Sequence, residues 1–176
     1  SAISAVEVSR APIEEKALIA ELFQFYTYDW SELEPAGSTH FEVGPDGRFA
    51  PFPHLDKYWT EEKRWPYLFR ANGMIAGFAL VNTHSYRERA IDFNMAEFFV
   101  LRKHRGAGLA EAACHHLLHL HAGSWEIAVA TRNTRARRFW ERSIRSAAHV
   151  SEIRCDTNDD ANWRGPIWSL KTSAIP

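Results

Sequence analysis

The run AIDFNMAEFFVLRKHRGAGLAEAACHHLLHLH, residues 90–121, decides how this chain is read. Residues 90–101 are mostly apolar and aromatic, the composition of a buried strand. They end at the basic turn RKHRGAG, after which LAEAACHHLLHLH carries apolar residues at helical spacing. A strand, a glycine turn and a helix in that order leave the free N–H groups of the first helical turn converging with the helix dipole on one spot suited to an anion. Gly106, Ala107 and Gly108 allow the backbone to approach such a ligand closely, and Arg105 and Lys103 bring positive charge. A carboxylate, Glu97, interrupts the apolar stretch from Met95 to Leu101. In a strand centre it either pairs with an arginine of a neighbouring strand or works as a base.

Downstream, Gly123 is expected to end the helix, WEIAVATRN reads as a mostly buried strand, and a further helix runs from Thr134 to about Ser146. Two last strands, near His149–Asp156 and Ile167–Thr172, flank the polar turn TNDDANWRGP. Upstream, Asn72-Gly73 between WPYLFRA and MIAGFALVNTH is a strong hairpin signal. A short helix is predicted around His54–Arg64. Residues 35–53 form a long loop with Pro, Gly and Asp turn signals and several aromatics. Such a loop either lines a pocket or staples itself to the core through Phe41, Phe49 and Phe52. From Ile13 to about Leu33, Ala17, Leu18, Leu22, Phe25, Tyr26 and Trp30 recur at helical spacing, and residues 3–9 alternate like a first strand.

The 176 residues suit one domain with a single sizeable core, and 45% hydrophobic against 24% charged residues is the balance of a soluble globular chain. A net charge of −1 gives no basic field for a nucleic-acid backbone, so nucleic acid is not an expected partner. There is no apolar run long enough for a bilayer, and SAISAVEVSR lacks the features of a secretory signal, so no membrane partner is expected. The two cysteines, Cys114 and Cys155, form no CxxC pair, which points to a reduced, cytoplasmic setting. The sequence leaves a homodimer open.

Arg105-Gly106-Ala107-Gly108-Leu109-Ala110 fits Arg/Gln-x-x-Gly-x-Gly/Ala, and one helix and one strand later Asn133-x-x-Ala136-x-x-Phe139-Trp140 fits Asn-x-x-Ala-x-x-aromatic-Tyr but for its last residue. In these two patterns, and in their order, the chain resembles the GNAT superfamily of acetyl-CoA-dependent N-acetyltransferases. The resemblance spans nearly the whole chain. It implies an α/β (α+β) fold whose mixed, mostly antiparallel sheet of six or seven strands is splayed at the CoA cleft and flanked by about four helices. It also implies acetyl-CoA as cofactor, held at residues 105–110, with Asn133 on the pantetheine arm and Ala136, Phe139 and Trp140 packed against it. Backbone N–H groups near Phe99 and Val100 would hold the thioester oxygen. The implied activity is acetyl transfer to a primary amine of a small molecule or peptide, with Glu97 as general base and Asp92 as the second candidate. The family often has Tyr where this chain has Trp140, and indole cannot serve as an acid. A CoA thiol leaves as the thiolate without one, so transfer survives the substitution. A non-catalytic acyl-CoA-binding sensor or scaffold is the alternative.

Acidic residues at Asp29, Glu32, Glu34, Glu42 and Asp56 favour a cationic acceptor, with Tyr28, Trp30, Tyr58 and Trp59 supplying cation–π contacts. Tyr28, Trp30, Glu34, Asp56 and Trp59 are the predicted acceptor-binding set. His115 and His119 lie one helical turn apart, but HHLLH lacks the Glu of HExxH and no metal is expected. A dinucleotide GxGxxG at Gly106 and Gly108, with Glu126 on the ribose, fails because Glu111 stands at the third glycine.

Overall fold

A computed structural model describes residues 5–176. Seven strands form one sheet in the order β1-β2-β3-β4-β5-β7-β6. They are β1 (Val6–Arg10), β2 (Trp65–Ala71), β3 (Met74–Asn82), β4 (Phe93–Val100), β5 (Gly123–Ala128), β6 (Val150–Asp159) and β7 (Arg164–Thr172). Every neighbouring pair is antiparallel except β4 and β5, which run parallel. Four helices join them: α1 (Lys16–Ser31), α2 (Lys57–Thr60), α3 (Leu109–Leu120) and α4 (Thr134–Ser146). The expected fold class is therefore met: a mixed, mostly antiparallel, open sheet with four helices. The predicted beginning of the first strand at Ile3 and Ser4 lies outside the described residues.

Strand alternation distributes the apolar side chains between two cores. Tyr67, Phe69 and Ala71 of β2 join Ala79 and Val81 of β3 in a core with Leu109, Ala113 and Leu117 of α3 and Trp140 and Ile144 of α4. Leu68, Phe78, Leu80 and Phe99 face the other way and pack with Ile19, Leu22 and Phe23 of α1. Helices α3 and α4 thus cover one face and α1 the other. Acidic Glu14 and Glu15 sit in the 3-10 turn that leads into α1, where they complement its dipole. Asn72 and Gly73 both have positive φ, as the tight β2–β3 hairpin requires.

Some predicted boundaries move. The helix expected over 54–64 is the single turn α2, because Glu61 is extended and Lys63 has φ +60°. Gly123 starts β5 instead of ending α3, with the Asp92 carboxylate packed where a Cβ would stand. Most of the polar turn over 157–166 is strand. Asp160 closes the β6–β7 connection by accepting from the amides of Asn162 (2.8 Å) and Trp163 (3.1 Å). Among the described residues no helix is long and apolar enough to cross a membrane.

Two irregularities shape the centre of the sheet. Leu80 pairs with Glu97 and Val81 with Met95, so Ala96 is an extra residue that bulges β4. β4 and β5 pair only at Phe93–Trp125 and Asn94–Glu126, then diverge. Close to this region Gly77 lets β3 approach β4: a Cβ on it would stand 2.1 Å from the Phe99 carbonyl oxygen. Gly77→Ala should therefore destabilise the fold by about 1–3 kcal/mol through overpacking against backbone. Thermal denaturation checks this, and an unchanged Tm would show that the sheet accommodates the methyl.

Candidate active site

The divergence of β4 and β5 opens a cavity of about 710 Å³ lined by Met95–Phe98 on one strand and by Ile127–Ala130 beyond the other. The outer half of β5 stays attached to β7 through Ile127–Trp168 and Ala128–Ile167, and the Val129 amide donates to Pro166 O at 2.9 Å. The gap is thus held open from one side by ordinary pairing.

Residues 105–110 form an exposed turn at the start of α3, outside the enclosed cavity. Gly106 (φ +83°) and Gly108 (φ +84°) are left-handed, a conformation costly for other residues, and space is open where their Cβ atoms would stand. The first helical bond runs from the Ala112 amide to Gly108 O (3.0 Å), and among the described residues no acceptor serves the amides of Gly106 to Glu111. Leu109 faces the core, so only its backbone is available to a ligand, and Ala110 packs against the same core. Arg105 corrects the expectation. Its Nε donates to Val100 O at 2.8 Å and its Nη2 to Asp29 at 2.5 Å, so it ties the turn to β4 and α1 instead of offering a free charge. Arg102 donates to the same Asp29 carboxylate at 2.6 Å. Burial alone would raise the Asp29 carboxyl, but the hydrogen bonds from Arg105 and Arg102 outweigh it and hold the group below its usual range. A second depression joins Arg102 and Arg135 with Tyr28, Ser31 and Glu32, so basic residues of the turn and of the start of α4 share one surface.

Asn133 caps α4: its side-chain oxygen accepts from the Ala136 amide at 3.1 Å, which leaves its NH₂ group as the available donor. Asn133, Ala136 and Trp140 line the cavity, whereas Phe139 packs beside it against Phe98, 5.7 Å between centroids. The cavity between the strands suits an extended pantetheine arm, and the free amides at α3 suit its phosphates. The residues present fit acyl-CoA.

Parity puts Glu97 on the same face as Phe99, toward α1, and there its Oε2 accepts from the Tyr26 hydroxyl at 2.7 Å. Burial drives the carboxyl up to about 7 against the lowering effect of that hydrogen bond. No arginine pairs with it; the neighbouring-strand ion pair does not form. Tyr26, with an acceptor in contact and apolar surroundings, has its own pKa pushed well above the usual value by burial and by the Glu97 charge. Asp92 is not in the cavity. Its Oδ2 accepts from the Ser124 amide (2.9 Å) and hydroxyl (3.1 Å), fastening the start of β4 to β5.

The two amides expected near the thioester oxygen face opposite ways. The Leu101 amide donates to Ala76 O at 2.8 Å, and antiparallel alternation then turns the Phe99 and Glu97 amides toward β3 and those of Phe98 and Val100 outward. The Val100 amide therefore points away from β3, whereas the Phe99 amide turns toward it and the Phe99 ring lies in the α1 core.

Of the five predicted acceptor residues, only Trp30 lines the cavity. Tyr28 belongs to the second depression. Glu34 organises the loop, accepting from Ser38 Oγ (2.7 Å) and the Phe41 amide (2.9 Å). Asp56 pairs with Lys16, and Trp59 donates to Ala11 O at 2.9 Å. The loop both lines the pocket and is stapled: Gln24 exchanges two hydrogen bonds with the Phe49 backbone, Phe52 stacks on Phe23 at 4.7 Å, and Phe41, Phe49 and Phe52 all face the cavity. Tyr86 and Trp163, 4.9 Å apart, come from distant connections that no sequence pattern marked. Glu126, far from any ribose role, is buried and accepts twice from Ser85 Oγ. His115 and His119 bond to the carbonyls of Ser143 and Ala148, and no metal-binding group occurs among the described residues.

A parallel pair that parts around a cavity, free amides at the following helix and a half-buried carboxylate beside the gap are features of an acyl-CoA-dependent transferase. The chain belongs to the Acetyltransferase (GNAT) family, whose profile matches residues 20–144. Solved structures share its fold. An acetyltransferase from Thermus thermophilus aligns with TM-score 0.65 at 13% identity over 98% of this chain and 99% of that one. A GNAT acetyltransferase from Streptococcus agalactiae gives 0.65 at 14% over 99% and 98%. The PaiA N-acetyltransferase from Thermoplasma acidophilum, in complex with coenzyme A, gives 0.61 at 7% over 96% and 99%. No curated protein matches the chain significantly.

The geometry of the turn makes Gly108→Val a direct test. A branched side chain at φ +84° costs ~1–3 kcal/mol and intrudes on the free amides. CoA affinity by calorimetry should fall by about tenfold or more, with the fold retained by circular dichroism; wild-type affinity would remove the turn from the cofactor site.

Proposed function

We propose that the chain transfers the acetyl group of acetyl-CoA to a primary amine of a small molecule or peptide, by direct attack of the amine on the thioester. The observation that carries this is Glu97: a carboxylate with a carboxyl pKa near 7, hydrogen-bonded to Tyr26 and lining the gap between β4 and β5. Acetyl-CoA, when bound, supplies an activated acyl carbon.

The protein's groups do the rest. An ammonium ion cannot attack, so Glu97 takes its proton, and a base poised near the working pH is suited to that transfer. The Tyr26 hydroxyl holds the carboxylate in place. The outward amides of Phe98 and Val100 face the charge that develops on the thioester oxygen and need no rearrangement to do so. The free amides from Gly106 to Glu111 and the Asn133 side chain position the donor. Trp140 supplies no proton, so the thiolate departs as such and the second proton of the attacking nitrogen passes to solvent. A cytoplasmic setting fits Cys114 and Cys155, which are both free thiols. The absence of the usual Tyr at position 140 favours a second reading, a CoA-binding module without turnover; release of free thiol on adding an amine separates the two.

Glu97→Gln should lower kcat by ~10²–10⁴-fold near neutral pH while sparing CoA affinity. In the wild type the active form is the carboxylate, so kcat/KM should rise as pH passes upward through about 7. The variant should lose that limb, and its deficit should shrink at high pH, where the amine is already neutral. A pH-rate profile checks this; wild-type kcat with an unchanged acidic limb would make Glu97 a structural group.

A further inference from the structure

The acetyl-transfer reading leaves the amine unnamed, and the aromatic walls of the cavity address it. Tyr26 and Trp30 of α1 contribute one wall, edge to face at 6.2 Å. Phe41 and Phe49 of the long loop contribute another, and the Tyr86–Trp163 pair a third. Most carboxylates that a polycation would need are engaged elsewhere, and Glu32 lies in the second depression. Asp29 is held by Arg102 and Arg105, Glu34 by Ser38 and the Phe41 amide, Asp56 by Lys16, and Glu21 by Arg48. Among the described residues, the carboxylates lining the cavity are Glu97 and the exposed Glu42, and the strong cation there is Arg164. A substrate with several ammonium groups would bury charge against rings without partners, a large desolvation cost. One ammonium, by contrast, has Glu97.

From this distribution, and resting on the acetyl-transfer reading, we infer that the acceptor is a monoamine carried on an aromatic or bulky apolar body. The amine meets Glu97 and the body fills the space among Trp30, Phe41 and Tyr86. Rings packing on rings favour such a body over a short alkyl chain. This narrows the cationic preference read from the acidic residues of the sequence to a single ammonium on an apolar body.

The experiment measures thiol release from acetyl-CoA with 2-phenylethylamine, tryptamine, ethylamine, spermidine, an aminoglycoside and an alanyl peptide. The arylalkylamines should show kcat/KM at least about tenfold above each of the others. Phe41→Ala and Trp30→Ala should each lower kcat/KM for 2-phenylethylamine by about tenfold, with CoA affinity by calorimetry reporting the integrity of the fold. Spermidine, the aminoglycoside or the peptide turned over as well as the arylalkylamines would overturn the inference and leave acetyl transfer standing. No thiol release with any amine, from a protein that binds CoA, would overturn both.

Discussion

Two pairs of residues, Phe93–Trp125 and Asn94–Glu126, hold β4 and β5 together before the strands part, and the site depends on that brevity. A sheet that stayed paired would consume the backbone groups of residues 95–100 in ladder hydrogen bonds. Because the pairing stops, the β4 amides that point away from β3 enter no ladder with β5, and a gap opens between the strands. The separation is built in. β5 continues along β7, β4 continues along β3, and the bulge at Ala96 bends β4 at the point of departure. The junction itself is fixed by Asp92 on Ser124 and by the buried Glu126 on Ser85.

Helix α1 connects the two halves of the site. Tyr26, Asp29 and Trp30 fall on one side of it at i, i+3 and i+4 spacing. Tyr26 holds Glu97, Asp29 gathers Arg102 and Arg105 of the cofactor turn, and Trp30 lines the cavity. Glu97, the turn that opens α3 and one wall of the cavity are thereby all fixed to one helix. Electrostatically the two carboxylates it governs go opposite ways: guanidinium groups keep Asp29 ionised, whereas burial next to a hydroxyl raises Glu97 to about 7. A single helix thus holds two carboxylates whose surroundings push their pKa values in opposite directions.

Much of the fold was legible before any coordinates. Helical spacing over 13–33, the Asn72-Gly73 hairpin and the helix from Thr134 to Ser146 all appear where local pattern put them, since apolar periodicity and turn chemistry act over a few residues. Boundaries failed where tertiary contact overrode propensity, as at α2 and at the long β6–β7 hairpin. In the site, Glu97 was visible as a charge in an apolar strand, and the glycine turn as small residues between strand and helix. The sequence could not show which charges were already taken: Arg105 and Asp29 are 76 residues apart, and nothing local reveals that they pair.

The sequence by itself determined the element order, the family motifs and the position of the unusual carboxylate, because these depend on neighbours within one or two turns of chain. Tertiary structure alone decided that Phe98 and Val100 face outward, that Tyr26 is the partner of Glu97, and that Asp92, Asp56 and Trp59 serve the scaffold. It alone brought Tyr86 and Trp163 to the same cavity as Trp30 and Phe41. The physical reason is that strand register and ion-pair choice are settled by competition among groups far apart in the chain, and only the packed fold sets the distances in that competition.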